Sequence, residues 1–418
     1  MKVSKFGGSS VSNATQIKKV LNIVNSDPER KIVIVSAPGK RHDNDIKTTD
    51  LLIRLYEKVI NHLDYHDKKR EIIQRYDDIV KELQMDESIL RTIDVTLEHY
   101  INQLKNEPKR LLDALLSCGE DFNAQLIALY NNSQGIPTKY ISPKEAGIFV
   151  TDVPQEAQIL DSAYSEIKKL RDYDEKLIIP GFFGVSHEGY IVTFPRGGSD
   201  ITGAIISSGV RATIYENFTD VSGIYKANPN IIKDPELIEE ITYREMRELS
   251  YAGFSVFHDE ALQPLYKDRI PVVIKNTNRP QDKGTFIVHD REINAKNVIS
   301  GTGIDTISIV MRSKQIQNKE TKVLNEIRQK CDVDELSIEH DLAILMIVGE
   351  GMNKVIGTAN KITHALAESK INLKMINQGA SEISMMFGIH VDDAEKAVLS
   401  TYEFCYHGVA LKNLCNKN

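Results

Sequence analysis

Four short stretches group residues that handle phosphate, carboxylate and ammonium groups: "KFGGSS" (5–10), "SCGED" (117–121), "FPRGGSD" (194–200) and "NFTDVSGIYKANPN" (217–230). In the third, Gly197 and Gly198 lack a Cβ and let the backbone come close to something bulky. Arg196 carries a planar fork that matches carboxylate or phosphate, and Asp200 can hold a metal or a hydroxyl. In the first, Gly7 and Gly8 fall where a strand gives way to a helix. Main-chain N–H groups and a helix N-terminus there favour a phosphate, and Lys5 reaches the same group. Glu120 follows a glycine between apolar runs; it suits an ammonium ion or, equally, a solvated charge at a helix N-terminus. In the fourth stretch, Gly223 and Tyr225 offer cover for a flat ring beside the strand end at Thr219 and Asp220. Taken singly, each stretch also reads as ordinary chain: a strand-to-helix turn, a hairpin turn, a Pro-terminated loop.

Their positions along the chain carry more than their compositions. A strand is expected over 2–6 and a helix over 13–25, with Ile17, Val20, Leu21 and Val24 on one face. "KIVIVSA" (31–37) is a β-branched run of the kind buried on both faces of a parallel sheet. Residues 47–131 read as almost wholly helical. "TKYIS", "KLIIPGFFG", "GYIVTF" and "ATIYENFTD" then give strands, with a helix over "DITGAIISSGV". Strand–helix alternation of this kind makes an α/β domain with helices on both faces of a sheet. In such a sheet ligands bind outside the carboxyl ends of the strands. "KFGGSS", "PRGGSD" and "TDVSGIY" all follow strands, and "VSAPGK" after "KIVIV" makes a fourth strand end. Together they supply lysine, arginine and aspartate around one cleft, an inventory suited to phosphoryl transfer by Mg²⁺, Lys and backbone N–H groups.

The chain has 418 residues, long enough for two or three domains. A formal charge of −7 gives no basic footprint for nucleic acid and no polybasic patch for a membrane surface. An anionic nucleotide must therefore be held by local groups. No apolar run reaches a bilayer-spanning length, and "MKVSKFGGSS" is no secretory signal. The four cysteines share no metal-ligand spacing, so a reduced, cytoplasmic setting is expected, with Cys118 a small buried thiol. No metal site of the protein's own is expected. After "KGTFIVHD" a second organisation begins, at a boundary between 290 and 300. A helix is expected over 319–330, and from Leu342 onward the order is β-α-β-β-α-β, with helices over 354–368 and 393–402.

"KFGGSS", "SCGE", "RGGSD" and "TDVSGIY", in that order and followed by "INQGASEISMMFGI", resemble the aspartate kinases over essentially the whole chain. The resemblance implies an amino-acid-kinase (carbamate-kinase-like) fold, a three-layer αβα sandwich with a mainly parallel sheet over residues 1–292. A ferredoxin-like βαββαβ ACT region would follow, a truncated first unit over 298–341 and a second over 342–418. It implies transfer of the γ-phosphoryl of ATP, with Mg²⁺, to the side-chain carboxylate of L-aspartate, the first step toward lysine, threonine and methionine. Carried over, Arg196 pairs the substrate α-carboxylate, Glu120 takes its ammonium, and Thr49 and Ser199 hydrogen-bond it. Gly197 and Gly198 let the backbone close over the substrate. Lys5 stabilises the moving phosphoryl with N–H groups at Gly7 and Gly8 and the adjacent Ser9. Asp200 orients Lys5 or the metal phosphate, while Thr219, Asp220 and Tyr225 hold the nucleotide. The acceptor is already ionised at neutral pH, so no general base is needed. A homodimer through the ACT units and an amino-acid effector are also implied.

Two features depart from that family's pattern. Asn230 and Ser255 stand where an arginine and a lysine contact ATP, leaving Lys226 and Lys275 as substitutes. The first ACT unit lacks roughly forty residues, about one βαβ portion, so feedback inhibition at its usual pocket is expected to be weak or absent. "GEGMNKVIGTANKI" (349–362) is either a carboxylate-binding turn or a subunit contact, the contact being the preferred reading. Two rivals stand beside the kinase. One is a kinase of the same fold acting on another small acid or a nucleoside monophosphate. The other is a catalytically inactive amino-acid-binding regulator.

Overall fold

The computed structural model describes residues 1–195, 197–251, 259–291, 299–304, 306–307, 311–312, 322, 326, 340–353, 355–378 and 382–407. The chain divides into two compact units, Met1–Ile224 with Phe257–His289, and Tyr225–Val256 with Asp290–Asn418. The first begins with β1 (Lys2–Phe6), α1 (Ala14–Asn25) and β2 (Arg30–Val35). The expected helical tract is four helices, α2 (Thr48–Ile60), α3 (His66–Glu82), α4 (Ser88–Leu104) and α5 (Pro108–Ser133). Then follow β3 (Thr138–Tyr140), α6 (Ala163–Ile167), β4 (Lys176–Pro180), β5 (Phe183–Val185), β6 (Ile191–Thr193), α7 (Gly198–Gly209) and β7 (Ile214–Thr219). After β8 (Glu240–Thr242) and α8 (Tyr243–Tyr251) of the second unit, the first is completed by α9 (Asp259–Lys267), β9 (Val272–Asn276) and β10 (Thr285–Val288).

Within the first unit the sheet runs β3-β4-β2-β1-β7-β9-β10, parallel except where β10 returns antiparallel to β9. Side chains alternate across it, and each face has its own layer. On one face Phe6, Val33, Val35 and Phe218 pack with the apolar sides of α1 to α5. Phe6 and Phe218 stack at 4.7 Å, across the register that pairs them. Each such side chain fully removed from water contributes about 1.5–3 kcal/mol, which makes the strand ends a rigid base for loops. The opposite face carries α7, and it comes close because Gly203 has no side chain. A Cβ there would lie 2.3 Å from the Tyr215 hydroxyl of β7. The result is the three-layer αβα sandwich with a mainly parallel sheet.

In the second unit, after α8, come β11 (Ile299–Ile304), β12 (Thr306–Ile307), β13 (Met311–Arg312), β14 (Leu342–Val348), α10 (Thr358–Glu368), β15 (Met375–Gln378), β16 (Ser384–His390) and α11 (Ala394–Tyr402). An antiparallel sheet, β11-β14-β16-β15, packs Leu345, Ile347, Phe387 and Ile389 against Ile362, Leu366 and Val398 of the two helices. From Leu342 the expected β-α-β-β-α order is found. The final strand and all but two residues of the expected helix over 319–330 lie outside the described residues. α10 starts at Thr358, not 354, because Gly357 turns at φ +86°. The sequence groups Ile299–Ile304 with the truncated first ACT unit. In the structure these six residues pair with β14, from Ile299 opposite Val348 to Ile304 opposite Ala343. With β16 on its other flank, the largely buried β14 has ladder partners on both edges, which unpaired backbone groups in a core require.

Candidate active site

The carboxyl ends of the parallel strands open into a cleft of about 810 Å³ within the first unit. Lys5, Gly8 and Ser9 line it after β1, residues 36–43 after β2, and Thr49 and Asp50 from α2. Glu120 comes from α5, Gly197 to Asp200 from the start of α7, and Asp220 from the end of β7.

Lys5 and Asn217 face each other across the β1–β7 register, so both side chains leave the same face of the sheet, toward α7. Asp200, in the first turn of that helix, meets both. Lys5 Nζ lies 2.7 Å from Asp200 Oδ1, and Asn217 Nδ2 donates to the same oxygen at 3.0 Å. All three residues are buried. The carboxylate therefore holds the lysine ammonium at one place on the cleft floor, beside a helix N-terminus that favours anions. Asn217 was missed by sequence reasoning; its one signal is an amide side chain in the middle of a buried strand, between Tyr215 and Thr219 on the same face.

The glycines also serve the packing of the cleft walls. Gly197 adopts φ +84° at the start of α7, a conformation that Cβ disfavours. Gly198, which lines the cleft, also makes room for protein, since a Cβ there would lie 2.6 Å from the Phe182 ring. Gly7 donates its N–H to the Phe218 carbonyl at 3.2 Å, so that amide is committed to the sheet. Gly8 crosses Gly39 of the loop after β2; a Cβ on Gly39 would fall 2.6 Å from the Gly8 carbonyl carbon. The Gly39 N–H donates to the Gly8 carbonyl at 2.9 Å, tying the two loops together.

Glu120 sits mid-way along the 26-residue α5, not at a helix start as the sequence allowed. Gly119 and Cys118 resemble a break in the helical pattern, but they are small because α5 packs closely here. A Cβ on Gly119 would lie 2.8 Å from the Ala37 side chain. Burial pushes the Glu120 carboxyl up to about 8, opposed by the Ala37 backbone N–H it accepts and by the Lys5 charge. Asn123, one turn on, donates to the Ser36 carbonyl at 2.7 Å, and the Thr48 hydroxyl donates to the Pro38 carbonyl at 2.8 Å. Thr49 is thereby presented from a fixed turn. Buried Cys118 has its thiol pushed up by desolvation and donates to the Ala114 carbonyl.

Of the expected site residues, Lys5, Gly8, Ser9, Thr49, Glu120, Ser199, Asp200 and Asp220 come together around the cleft. Gly7 is not among the residues that line it. The Thr219 hydroxyl donates to Asp220 Oδ1 at 3.1 Å. Tyr225 belongs to the second unit, where its backbone bridges to Leu237. Arg196 and Ser255 lie outside the described residues. Neither expected substitute for the missing ATP contacts is supported. Lys226 pairs with Glu236 at 2.5 Å in the second unit. Lys275 pairs in register with Phe218, which puts it on the sheet face opposite Asn217, where burial lowers its ammonium.

A sheet-end cleft with a buried Lys–Asp pair and glycine-tight loops is an anion-handling site. The amino acid kinase family matches residues 1–276. The chain belongs to that family. An ACT domain matches residues 345–403, over the second unit's sheet and helices. Aspartokinase 3 of Bacillus subtilis is 42% identical over 454 aligned positions, covering 98% of this chain and all of that protein. Since 98% of 418 residues is about 410, about 44 positions of that relative have no counterpart here. Aspartate kinase of Clostridium acetobutylicum matches in structure with a TM-score of 0.80 at 36% identity, over 96% of this chain and 99% of its own. Escherichia coli aspartokinase III, solved with aspartate and ADP, shares the fold with a TM-score of 0.75 at 22% identity, over 97% of this chain and all of its own. The chain is thus an aspartokinase homologue that combines a family kinase domain with an ACT domain. Among the described residues no helix is long and apolar enough to cross a membrane.

In the second unit, three amides of the "GEGMN" turn are committed within the protein. Gly349 N–H donates to Ile383, Met352 to Gly349 and Val355 to Gly351. Glu350 N–H donates to Glu245 Oε1 at 2.9 Å, and Glu245 is itself buried against Arg291. The turn is held by its own unit rather than left open for a carboxylate.

Proposed function

We propose that the protein transfers the γ-phosphoryl group of ATP to the side-chain carboxylate of L-aspartate, forming 4-phospho-L-aspartate for lysine, threonine and methionine synthesis in the cytoplasm. The observation that carries this reading is the buried Lys5–Asp200–Asn217 cluster in the same cleft as Glu120. The likeness to the B. subtilis and C. acetobutylicum enzymes supports aspartate as the acceptor.

Phosphoryl transfer needs in-line positioning and charge neutralisation more than covalent chemistry. Lys5 Nζ, fixed by Asp200, faces the oxygens of the moving phosphoryl group, assisted by Gly8 and Ser9. Glu120 accepts the substrate ammonium, Arg196 its α-carboxylate, and Thr49 and Ser199 hydrogen-bond the amino acid. Asp220 and Thr219 are placed for the nucleotide, with Tyr225 beyond them in sequence. Asp200 and Asp220, two carboxylates lining one cleft, fit Mg²⁺ carried on nucleotide phosphates, an ion usually held by one or two carboxylates. Bound there, Mg²⁺ would neutralise phosphate charge. We assign catalysis to residues 1–292, a shortened ACT unit to 298–341 and a second to 342–418, with homodimerisation through the ACT units and weak or absent amino-acid feedback.

Trapping the acyl phosphate with hydroxylamine tests the reading. With ATP and Mg²⁺, aspartate but not glutamate is expected to give hydroxamate, lost in Lys5→Ala and Arg196→Ala. ATP-binding protein that forms no aspartate-dependent hydroxamate would instead favour the inactive regulator.

A further inference from the structure

The cleft wall formed by residues 38–47 has no regular secondary structure, yet it is tied down from below. Arg75 of α3 is buried. It donates one guanidinium nitrogen to Asp45 Oδ2 at 2.5 Å and the other to the Gly39 carbonyl. Asp45 also takes the Arg41 backbone N–H at 2.8 Å, Arg41 Nε at 2.9 Å and Arg41 Nη2 at 3.0 Å. Arg41 first, and then Arg75, hold the Asp45 carboxyl well below the usual carboxylate range against the opposing pull of burial. Gly39 in turn donates to Gly8, so Arg75 is linked through one residue to the turn after Lys5.

Such a latch under a polar loop implies that something on the loop must be presented accurately. The described cations of the cleft are Lys5, Lys40, Arg41 and Lys47. Three are engaged within the protein. Lys5 pairs with Asp200, Arg41 with Asp45 and Asp78, and Lys40 donates to the Asp43 carbonyl at 3.0 Å. Lys47, at the N-cap of α2 beside Thr48 and Thr49, has no hydrogen-bond or ion-pair partner among the described residues.

We infer that Lys47 is a substrate-contacting cation, its ammonium engaging an anionic oxygen of the cleft ligand, and that Arg75 is a positioning residue that presents it by latching the loop through Asp45 and Gly39. The identity of the anion rests on the kinase reading: a phosphoryl oxygen of the nucleotide or a carboxylate oxygen of aspartate. Lys47 then supplies one local positive charge to the cleft of a chain whose sequence carries Asn230 and Ser255, not a basic pair, at those two positions. Its ammonium is a compact charge on a flexible stem, so a fixed loop base is what gives it aim.

Binding of ADP and of L-aspartate is measured separately by titration calorimetry on the full chain, beside steady-state kcat and KM. Lys47→Gln is expected to weaken one ligand about tenfold without moving the melting temperature, and Lys47→Arg to restore most of it, as for loss and return of one charge-assisted hydrogen bond. Arg75→Met and Asp45→Asn are expected to weaken the same ligand, and Asp45→Asn added to Lys47→Gln to change its affinity by less than twofold. If Arg75→Met does not fold, Asp45→Asn, which keeps the Gly39 contact, carries the comparison. Lys47→Gln leaving both affinities within twofold would overturn the inference, as would Asp45→Asn lowering the melting temperature while that ligand's affinity stays unchanged. A wild type that binds ADP or aspartate with the expected losses, yet makes no acyl phosphate, would sink the kinase reading and uphold this one. A wild type that binds neither would sink both.

Discussion

Glu120 yields a quantitative prediction because its acid form is favoured only while the cleft lacks a cation beside it. Burial pushes its carboxyl up to about 8, so at pH 7 about nine-tenths of empty clefts hold it neutral. A substrate ammonium against the carboxyl favours the ionised form and drives the proton off. Aspartate binding should then release about 0.9 proton at pH 7, about 0.5 at pH 8 and about 0.1 at pH 9. Aspartate affinity should correspondingly weaken about fivefold from pH 8 to pH 7 and about tenfold for each pH unit below that. Calorimetric titrations at pH 7 in phosphate and in Tris measure the release directly, since the two buffers differ in ionisation enthalpy. A proton number near zero at pH 7 would refute the placement of the ammonium at Glu120.

The same carboxyl makes a linked prediction for stability. Its folded value lies above the ordinary 4.5, so the folded state favours the acid form. The penalty is absent below the ordinary value, grows as pH rises, and levels off above about 8. At pH 7 it amounts to about 3 kcal/mol. Glu120→Gln should remove it, raising the melting temperature at pH 7 but not at pH 4, while abolishing proton release and weakening aspartate by about tenfold or more. A melting temperature unchanged at both values of pH would mean that the carboxyl is not desolvated as described.

Gly39→Ala places a methyl carbon 2.6 Å from the Gly8 carbonyl carbon, so the loops after β1 and β2 must separate. It should destabilise by about 1–3 kcal/mol and lower kcat/KM by more than that loss explains, read by thermal melting and the hydroxamate assay. Lysine or threonine titrated into the protein should show no micromolar binding, because about 44 positions of the B. subtilis relative have no counterpart here and the Gly349–Met352 turn has three of its amides engaged. A micromolar Kd for either would place an effector site in what remains of the ACT region.

Much of the architecture follows from local pattern. The β-branched run ending at Val35 is a central strand and Asn13 caps α1 by accepting from Gln16, as their types favour. Lys5 and Asp220 were legible because each sits at or just beyond the end of a parallel strand, where ligand-facing side chains in such sheets collect; Asp200 instead follows β6, which pairs only with β5 outside that sheet, and reaches the cleft from the first turn of α7. What sequence could not supply is pairing at long range. Asn217 meets Asp200 only through the β1–β7 register, and Arg75 meets Asp45 only because α3 lies beneath a loop 30 residues earlier in the chain. For Glu120 the sequence leaves two readings, an ammonium partner or a helix-start charge, for a related reason: the close packing of Gly119 on Ala37 that sets it inside α5 is a contact at long range. The pairing of Ile299–Ile304 with β14 likewise joins segments some forty residues apart and has no local signal.

The charge arrangement of the cleft also answers how a chain of net charge −7 accommodates an anion. Long-range attraction is unavailable, so local charges must be balanced in the empty cleft and rebalanced on binding. Lys5 and Asp200 cancel at 2.7 Å, Glu120 carries a proton at neutral pH, and Asp45 is neutralised from below by Arg41 and Arg75. That leaves Asp200, Asp45 and Glu120 either paired or uncharged until a ligand arrives, with Asp220 the cleft carboxylate suited to a metal-bearing phosphate. A phosphoryl group drawing on Lys5 leaves Asp200 to Asn217, while an ammonium at Glu120 replaces the proton lost there. Each ligand thus brings the countercharge that its own site lacks. Lys5→Met should accordingly harm more than the loss of one cation, because it also exposes an uncompensated Asp200 carboxylate. Lys5→Met/Asp200→Asn should bind ADP more tightly than Lys5→Met alone, though neither turns over. Equal ADP affinity in the single and double variants would show that Asp200 has no electrostatic influence on the nucleotide.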